Sequence, residues 1–265
     1  MPAINEMRPT NLSQVLTQVE KFQNARLASW YRGVGSTEYS LTPSIGRSNP
    51  QKSAEELAKI ETSISITFSQ RSPPFTQMNL ENEWRKLFYM QHHGIPTRLL
   101  DWSESPFVAM FFALTSVKRG ADGTPLSDAA IWACDPIAWN RTVLSHITYQ
   151  GGILDETCEE IKAFNPIVSV DQRPTSPVMI YGTHNSARIV AQRGVFALFG
   201  KGSEGMETIF LNGQFQANSL IKIIIPKESV DEILHSLYRK GIAESTIYPD
   251  LFGLALEIKR LHGYF

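Results

Sequence analysis

The side chains best suited to chemistry are concentrated in residues 91–114, QHHGIPTRLLDWSESPFVAMFFAL. This stretch combines two histidines, an arginine, an aspartate and a glutamate with many Leu, Phe, Met and Trp residues. A glycine and a nearby proline end the helix that precedes it. Residues 98–102 are predicted to form a short strand, and residues 106–117 an apolar core helix with Ser105 as its N-cap. The polar side chains therefore lie at the joints between a helix, a strand and a second helix.

A second candidate is the arginine of the tripeptide Tyr31-Arg32-Gly33, which lies in a short apolar strand. An arginine in such a strand needs a partner for its charge. The planar guanidinium group suits a bidentate phosphate or carboxylate, and the glycine would let a ligand approach the backbone. The alternative is that Arg32 neutralises an internal acid such as Glu83 or Asp101.

His92 and His93 occupy the last turn of a predicted helix, where the helix dipole favours their protonated forms. Because adjacent side chains diverge by about 100° around a helix, both histidines are not expected to serve one site. A purely structural role is the alternative for each of them. No metal site is predicted, since the sequence has no HxxxH or CxxC spacing and only Asp101 and Glu104 supply carboxylates nearby.

The predicted strand at residues 98–102 carries two charged residues. Arg98 and Asp101 flank two leucines, so they should point to opposite faces and not pair with each other. Asp101 is a candidate catalytic acid or, alternatively, a buried acid that holds backbone or an arginine in place. Ser103 and Ser105, with the start of the following helix, could bind an anion, although a plain N-cap explains Ser105 equally well.

The composition excludes several classes of protein. The chain has 265 residues, 42% of them hydrophobic and 19% charged, which suits a globular protein with a sizeable core. Its net charge of −1 removes the simple electrostatic case for binding nucleic acid or an anionic membrane. Two cysteines are too few for a disulfide scaffold. Because no apolar run approaches the length of a membrane span, we expect a soluble cytoplasmic protein with no membrane partner.

The order of helices and strands favours an α+β fold, a single mixed domain whose central β-sheet, continuous or split, is flanked by helices. A leading helical segment, residues 1–28, precedes this domain of residues 29–265. Residues 188–199 are predicted as two strand pieces interrupted at Gln192-Arg193-Gly194, and residues 67–78 as a loop. Three helix starts are predicted from their capping residues, namely Ser53 with Glu56, Asn79, and Ser229 with Glu232.

Several of these segments together resemble the FRG domain, a bacterial family named after an (F/Y)RG tripeptide. The resemblance rests on WYRGV, on the QHHGIPTRLLDW stretch and the apolar helix after it, and on the later RIVAQRGVFALF and YPDLFGLA. It runs from about residue 30 to near the C-terminus, so that residues 29–265 would be the FRG domain. A weaker similarity to ADP-ribosyltransferases lies in the aromatic-Arg-Gly strand and in the serine-bearing strand that enters an apolar helix. A later strand of those enzymes supplies a catalytic glutamate, for which this chain offers Gln192.

This second resemblance implies an NAD-dependent enzyme that acts as an intracellular toxin or anti-phage effector. NAD would be a substrate, no metal would be needed, and the acceptor would be an unidentified protein or nucleic acid. A neutralising partner protein is also implied. The residues implied to bind the nucleotide are Tyr31, Arg32, Gly33, Arg98, Ser103 and Ser105, and those implied in catalysis are Arg32, His92 and Gln192 with Glu83 or Asp101 as a compensating acid.

Two other functions fit the same residues. One is a sensor that binds nucleotides or phosphate without catalysis, since Arg32, Arg98 and the helix start would form an anion pocket in either case. The other is a nuclease or hydrolase that uses His92, Glu83 and Asp101, which in most schemes requires a divalent metal.

Overall fold

A seven-stranded sheet organises the chain in the computed structural model, which describes residues 2–24, 26–183 and 186–264. The strands within these residues are β1 (Asn5–Met7), β2 (Trp30–Val34), β3 (Leu99–Ser103), β4 (Ala129–Cys134), β5 (Val178–Ile180), β6 (Gly194–Leu198) and β7 (Leu220–Ile225). The helices are α1 (Leu12–Gln23), α2 (Ala54–Arg71), α3 (Glu83–His92), α4 (Pro106–Thr115), α5 (Pro136–Val143), α6 (Ala187–Gln192), α7 (Met206–Asn212), α8 (Val230–Tyr238), α9 (Glu244–Ile247) and α10 (Leu251–Leu261).

The strand order in the sheet is β1-β7-β4-β2-β3-β6-β5. β1 runs parallel to β7, and every other pair of neighbours is antiparallel. The predicted α+β class, with helices around a central sheet, is confirmed. No helix in the described residues is both long enough and apolar enough to cross a membrane.

Both faces of the sheet are buried, each in its own hydrophobic core. Alternate residues of β4 and β7, such as Ile131 and Ile223, face a core that includes α1, α4 and α8. Their neighbours, such as Trp132 and Leu220, face a core that includes α5 and α7. Because both faces are covered, β4 is continuously apolar and β7 is apolar at every position except Lys222, instead of alternating with polar residues.

α4 packs directly on the backbone of β2. A Cβ atom added to Gly33 would lie 1.8 Å from the carbonyl oxygen of Ala109 and 2.5 Å from the amide nitrogen of Ala113. No side chain fits at this distance, so close helix packing accounts for the glycine. The sequence-based explanation, that Gly33 admits a ligand to the backbone, is not needed for this residue.

α4 itself begins as predicted and ends two residues earlier than predicted. Pro106 occupies its first turn, and the Ser105 hydroxyl accepts a hydrogen bond from the Val108 amide at 3.4 Å. The helix is apolar throughout, but its two adjacent phenylalanines differ in environment. Phe111 is 2% exposed, whereas Phe112 is only partly buried and lines a cleft.

We therefore expect Phe111→Ala to lower the free energy of unfolding by about 3–5 kcal/mol, because it leaves a cavity in the core. Phe112→Ala should cost clearly less, since part of the ring is already in contact with solvent. Urea titration of both variants measures the difference. Equal losses, or a loss below about 1 kcal/mol for Phe111→Ala, would show that α4 does not pack as described.

The prediction of two strand pieces in residues 188–199 is wrong for the first piece, which is the helix α6. The Ser186 hydroxyl accepts a hydrogen bond from the Ile189 amide at 3.3 Å and so caps the helix at its start. Arg193 then takes a left-handed conformation, φ 46°, which ends the helix before β6 begins. Gln192 is consequently the last residue of a helix and not part of a strand interruption.

The predicted helix starts had mixed outcomes. The capping box of Ser53 and Glu56 is confirmed at the start of α2. Asn79 does not cap α3, because it sits in a turn three residues earlier and Asn82 accepts the hydrogen bond from Arg85 N at 3.0 Å instead. Ser229 makes no capping hydrogen bond, since it belongs to a 3-10 turn whose helical backbone leads directly into α8.

Candidate active site

The sheet opens between its two central strands. β2 pairs with β4 along its full length, and β3 does the same with β6. β2 and β3, however, pair only at Tyr31 and Ser103. Beyond that pair the strands diverge, and both of their facing edges line a cleft of about 1140 Å³. The sheet is thus continuous through one residue pair and split beyond it.

The cleft collects side chains from distant parts of the sequence. Seven of the predicted site residues line it, namely Tyr31, Arg32, Gly33, His92, Asp101, Ser103 and Gln192. Three predicted residues, Glu83, Arg98 and Ser105, are not in its lining. Further polar residues with titratable side chains in the lining were not predicted as site residues, and they are Glu38, Arg47, His93, Arg188 and Asp250.

Arg32 has no carboxylate partner within the described residues. Its Nη1 donates a hydrogen bond across the split to the backbone oxygen of Asp101, and its buried Nε has no hydrogen-bond partner in the described part of the chain. Burial lowers the pKa of Arg32 to about 10; the charge of Asp101 opposes this shift and that of Arg47 adds to it. The guanidinium therefore stays protonated at neutral pH. The alternative that Arg32 forms an ion pair with Glu83 or Asp101 is not what the structure shows.

Two more arginines of the cleft lack ion pairs among the described residues. Arg47 donates from Nε to the carbonyl oxygen of Thr42 at 3.0 Å. Arg188 lies over the ring of Tyr248, with 4.7 Å from its guanidinium carbon to the ring centre. Because neither charge is neutralised by a carboxylate contact, the cleft holds three arginines available to an anionic ligand.

Asp101 is exposed to the cleft and is not the buried acid of the alternative interpretation. Its Oδ2 accepts a hydrogen bond from Nε2 of Gln91 at 2.8 Å. Its Oδ1 makes no hydrogen bond in the part of the chain that the structure describes. As predicted from their spacing, Asp101 and Arg98 are not partners of each other.

Comparison with known families assigns the segment that builds this split. Residues 28–122 match the family model described as the FRG domain. The chain carries an FRG domain. The matched segment runs from β2 through α4, so it contains both facing edges of the cleft. Comparison with curated proteins and with solved structures found no match.

His92, from α3 of the FRG domain, approaches the neighbouring helix α6. Its Nδ1 lies 3.3 Å from the Ser186 hydroxyl. Burial is the main cause that lowers the pKa of His92, and the nearby His93 and Arg188 add to the effect. The pKa of His92 therefore moves in the direction opposite to that predicted from the helix dipole, because burial and the neighbouring His93 and Arg188 favour the neutral ring. A neutral ring with Nδ1 accepting from Ser186 carries its proton on Nε2.

The prediction that His92 and His93 could not share one site is also wrong. Both line the cleft, and their ring centres are 4.9 Å apart. The helical angle of about 100° does not apply to His93, since it is the C-cap residue, with φ −88° and ψ 10°.

The lowered pKa of His92 gives the stability a pH dependence. In the unfolded chain the group has its ordinary pKa of 6.5, so below this pH the unfolded state takes up protons before the folded state does. The contribution of His92 to the free energy of unfolding is thus fully present above about pH 6.5, and it declines as the pH falls through the lower pKa of the folded state. His92→Gln should reduce the drop in Tm between about pH 7.5 and about pH 5.5, whereas His146→Gln, at an exposed histidine, should not. An unchanged drop for His92→Gln would contradict this.

Ser103 and Gln192 are held by hydrogen bonds within the cleft wall. The Ser103 hydroxyl donates to the backbone oxygen of Gln192 at 2.7 Å and accepts from the Ser105 amide at 2.9 Å. The Gln192 side chain donates from Nε2 to the backbone oxygen of Ile247 at 3.1 Å. Its Oε1 has no hydrogen-bond partner among the described residues, so it can still accept one from a ligand.

The three predicted residues outside the lining have structural partners. Arg98 is buried and pairs with Glu61 of α2, which also pairs with Arg173 at 2.7 Å. Glu83 pairs with Lys86 at 2.8 Å within α3. Ser105 caps α4, as described above. Within the described residues, no group of three or more His, Cys, Asp or Glu side chains is placed to hold a metal ion.

Proposed function

We propose that this protein is an NAD-dependent enzyme of the ADP-ribosyltransferase type, which breaks the bond between nicotinamide and ribose. The observation that carries the proposal is that Arg32, His92 and Gln192 line one cleft. They come from β2, α3 and α6, and the chain separates the first from the last by 160 positions. The proposal assigns these three residues to one reaction, and it is supported by their lining the same cleft although they are far apart in the sequence.

The charges of the cleft suit the pyrophosphate of a dinucleotide. Arg32, Arg47 and Arg188 line it and form no ion pair with any residue that the structure describes. Guanidinium groups bind phosphate oxygens in a bidentate manner. The volume of about 1140 Å³ is slightly above the usual range for ligand sites, which leaves room for a dinucleotide. Arg32, whose guanidinium reaches across the split to the Asp101 backbone, is the proposed main phosphate ligand.

The remaining polar residues suit the reacting sugar. When the bond between ribose C1′ and nicotinamide breaks, its electron pair leaves with nicotinamide and positive charge develops on the ribose. The Asp101 carboxylate stabilises that charge and takes the proton that the attacking hydroxyl or water releases as it bonds to C1′. Neutral His92 donates from Nε2 to a ribose hydroxyl, and the Oε1 atom of Gln192 accepts from another. Asp101, not Glu83, supplies the proposed carboxylate, because Glu83 is outside the cleft.

The biological role belongs to the same proposal. The enzyme acts in the cytoplasm as a toxin or anti-phage effector, transfers ADP-ribose to a protein or nucleic acid acceptor, and is restrained by a neutralising partner protein. Cleavage of the nicotinamide bond requires mainly orientation and stabilisation of a cationic sugar, so a few well-placed residues suffice.

One observation favours a second candidate, a nucleotide sensor without catalysis. Gln192, which the resemblance offers instead of the catalytic glutamate, is an amide at the end of a helix, and its NH₂ group is already bonded to the backbone of Ile247. An amide can hydrogen-bond a ribose but supplies no negative charge. The anion-binding arginines would serve such a sensor equally well.

The test is to incubate the purified protein with NAD labelled separately in nicotinamide and in adenine, together with a panel of proteins and nucleic acids. Nicotinamide release in wild type, lost in Asp101→Asn, would support the enzyme. Thermal-shift measurements with NAD, ADP and inorganic phosphate run in parallel. Stabilisation by several nucleotides with neither release nor label transfer would overturn the enzyme in favour of the sensor. Absence of both turnover and stabilisation would overturn both.

A further inference from the structure

We infer that Gln91 and Thr97 are positioning residues that hold the carboxylate of Asp101 in place through a directed chain of hydrogen bonds. The Leu99 amide donates to the Thr97 hydroxyl at 3.0 Å. That hydroxyl donates to Oε1 of Gln91 at 2.5 Å, and Nε2 of Gln91 donates to Oδ2 of Asp101 at 2.8 Å. The inference rests on the proposed function, because it assigns these bonds to the positioning of the Asp101 carboxylate for that reaction.

The direction of the chain follows from donor and acceptor capacity. A carboxylate can only accept hydrogen bonds, so Gln91 faces Asp101 with its NH₂ group and turns its carbonyl oxygen towards Thr97. That oxygen can also only accept, so the Thr97 hydroxyl donates to it and accepts from the Leu99 amide. The carboxylate therefore fixes the direction of every bond in the hydrogen-bond chain. Oδ1 of Asp101, which lines the cleft, has no hydrogen-bond partner among the described residues.

The hydrogen-bond chain restricts the conformation of the Asp101 side chain. An exposed aspartate on a strand edge would otherwise sample several rotamers. Here its side chain is fixed by Gln91, while Arg32 holds its backbone oxygen from the opposite edge of the split. Preorganised charge of this kind stabilises a transition state without reorganisation during the reaction.

The turn between α3 and β3 brings Thr97 back to Gln91. Gly94 adopts φ +74°, and the Ile95 amide bonds to the oxygen of Met90 while the Gly94 amide bonds to that of Gln91. This is a Schellman motif, which reverses the chain after a helix. Thr97 is 1% exposed, so water cannot replace its hydroxyl in the chain.

The experiment uses the full-length protein and the release of nicotinamide from NAD. Thr97→Val and Gln91→Met keep the size of each side chain and remove its hydrogen bonds. We expect kcat to fall about 10- to 100-fold in each, with little change in KM, because positioning acts on the reacting carboxylate and not on phosphate binding. Thr97→Ser, which keeps the hydroxyl, should recover most of the activity. Thr142→Val, which removes a hydroxyl bonded within α5, is the matched control and should resemble wild type.

A double-mutant cycle separates positioning from a general structural role. If Gln91 acts through Asp101, adding Gln91→Met to Asp101→Ala should change kcat by less than about twofold. Effects that multiply in the double variant would overturn the inference. So would a loss of activity in Thr97→Ser as large as that in Thr97→Val.

A readout without turnover distinguishes this inference from the proposed function. The side-chain amide resonance of Gln91, identified by its loss in Gln91→Met, should shift in Thr97→Val and in Asp101→Ala but not in Thr142→Val. Shifts of the Gln91 resonance without nicotinamide release in wild type would overturn the proposed function and the catalytic part of the inference, but the hydrogen-bond chain would still be supported. If neither variant shifts the resonance, the hydrogen-bond chain is overturned, whatever the activity.

Discussion

Arg32→Ala is expected to remove activity and ligand stabilisation while the protein remains folded. Nicotinamide release should fall by about 100-fold or more, because the proposed charged donor to phosphate is lost from a partly desolvated cleft. The Tm should stay within about 3 °C of wild type, since among the described residues the guanidinium makes one hydrogen bond, to the Asp101 backbone, and no ion pair. Arg32→Lys should recover little, because an ammonium group cannot reproduce the planar, bidentate contact.

The measurement pairs Tm with NAD turnover, or with toxicity in cells, for wild type, Arg32→Ala and Arg32→Lys. Arg193→Ala is the matched control, because this exposed arginine follows α6 but is absent from the cleft lining. Activity that declines only in step with Tm would mean that Arg32 has a structural role. Substantial activity in Arg32→Ala with an intact fold would contradict the assignment of Arg32 as the main phosphate ligand.

A loss of stability as large as that of Phe111→Ala is expected from Glu61→Ala. Glu61, Arg98 and Arg173 are only 4–5% exposed, and the one carboxylate pairs with both guanidinium groups. Removing it leaves two buried positive charges without a counter-charge, which costs about 3–5 kcal/mol in comparable buried pairs. The backbone oxygens that also accept from Arg98, such as that of Phe199 at 2.6 Å, do not replace the lost charge.

Urea titration of Glu61→Ala provides the measurement. The matched control is Glu159→Ala, which removes an exposed i,i+3 ion pair with Lys162 and should change stability by no more than about 0.5 kcal/mol. A loss below about 1 kcal/mol for Glu61→Ala would show that the two arginines find other partners. Arg98→Ala should be similarly destabilising, as expected for a structural arginine and not for a phosphate ligand.

The parts of the fold that the sequence predicts well are those with strong local signals. The strand around Arg32, the apolar helix with Ser105 and Pro106 at its start, and the capping box at Ser53 all follow from spacing and residue type. α6 does not, because Arg188, Ile189 and Val190 are as compatible with a strand as with a helix. Its helical state depends on a cap at Ser186 and on a left-handed residue at its end.

Residues of the candidate site were predicted where they lie in recognisable sequence segments. They were missed where only tertiary folding brings them to the cleft. Arg47, Arg188 and Asp250 reach the cleft through folding of distant elements, which no local pattern indicates. Gln91 gave a usable signal, since it lies in the same short stretch as Asp101. Glu61 gave another, because it lies four positions after Leu57 on the apolar face of α2, where a carboxylate needs a buried partner.

The single pair that joins β2 to β3 has a consequence for how the molecule responds to a ligand. The sheet amounts to two plates, one of four strands and one of three, and little backbone bonding opposes a small change in the angle between them. A ligand that contacts Arg32 on one plate and Asp101 on the other would act as a cross-link. It would link the two plates where they lack strand pairing, and the plates would then open and unfold as a single unit.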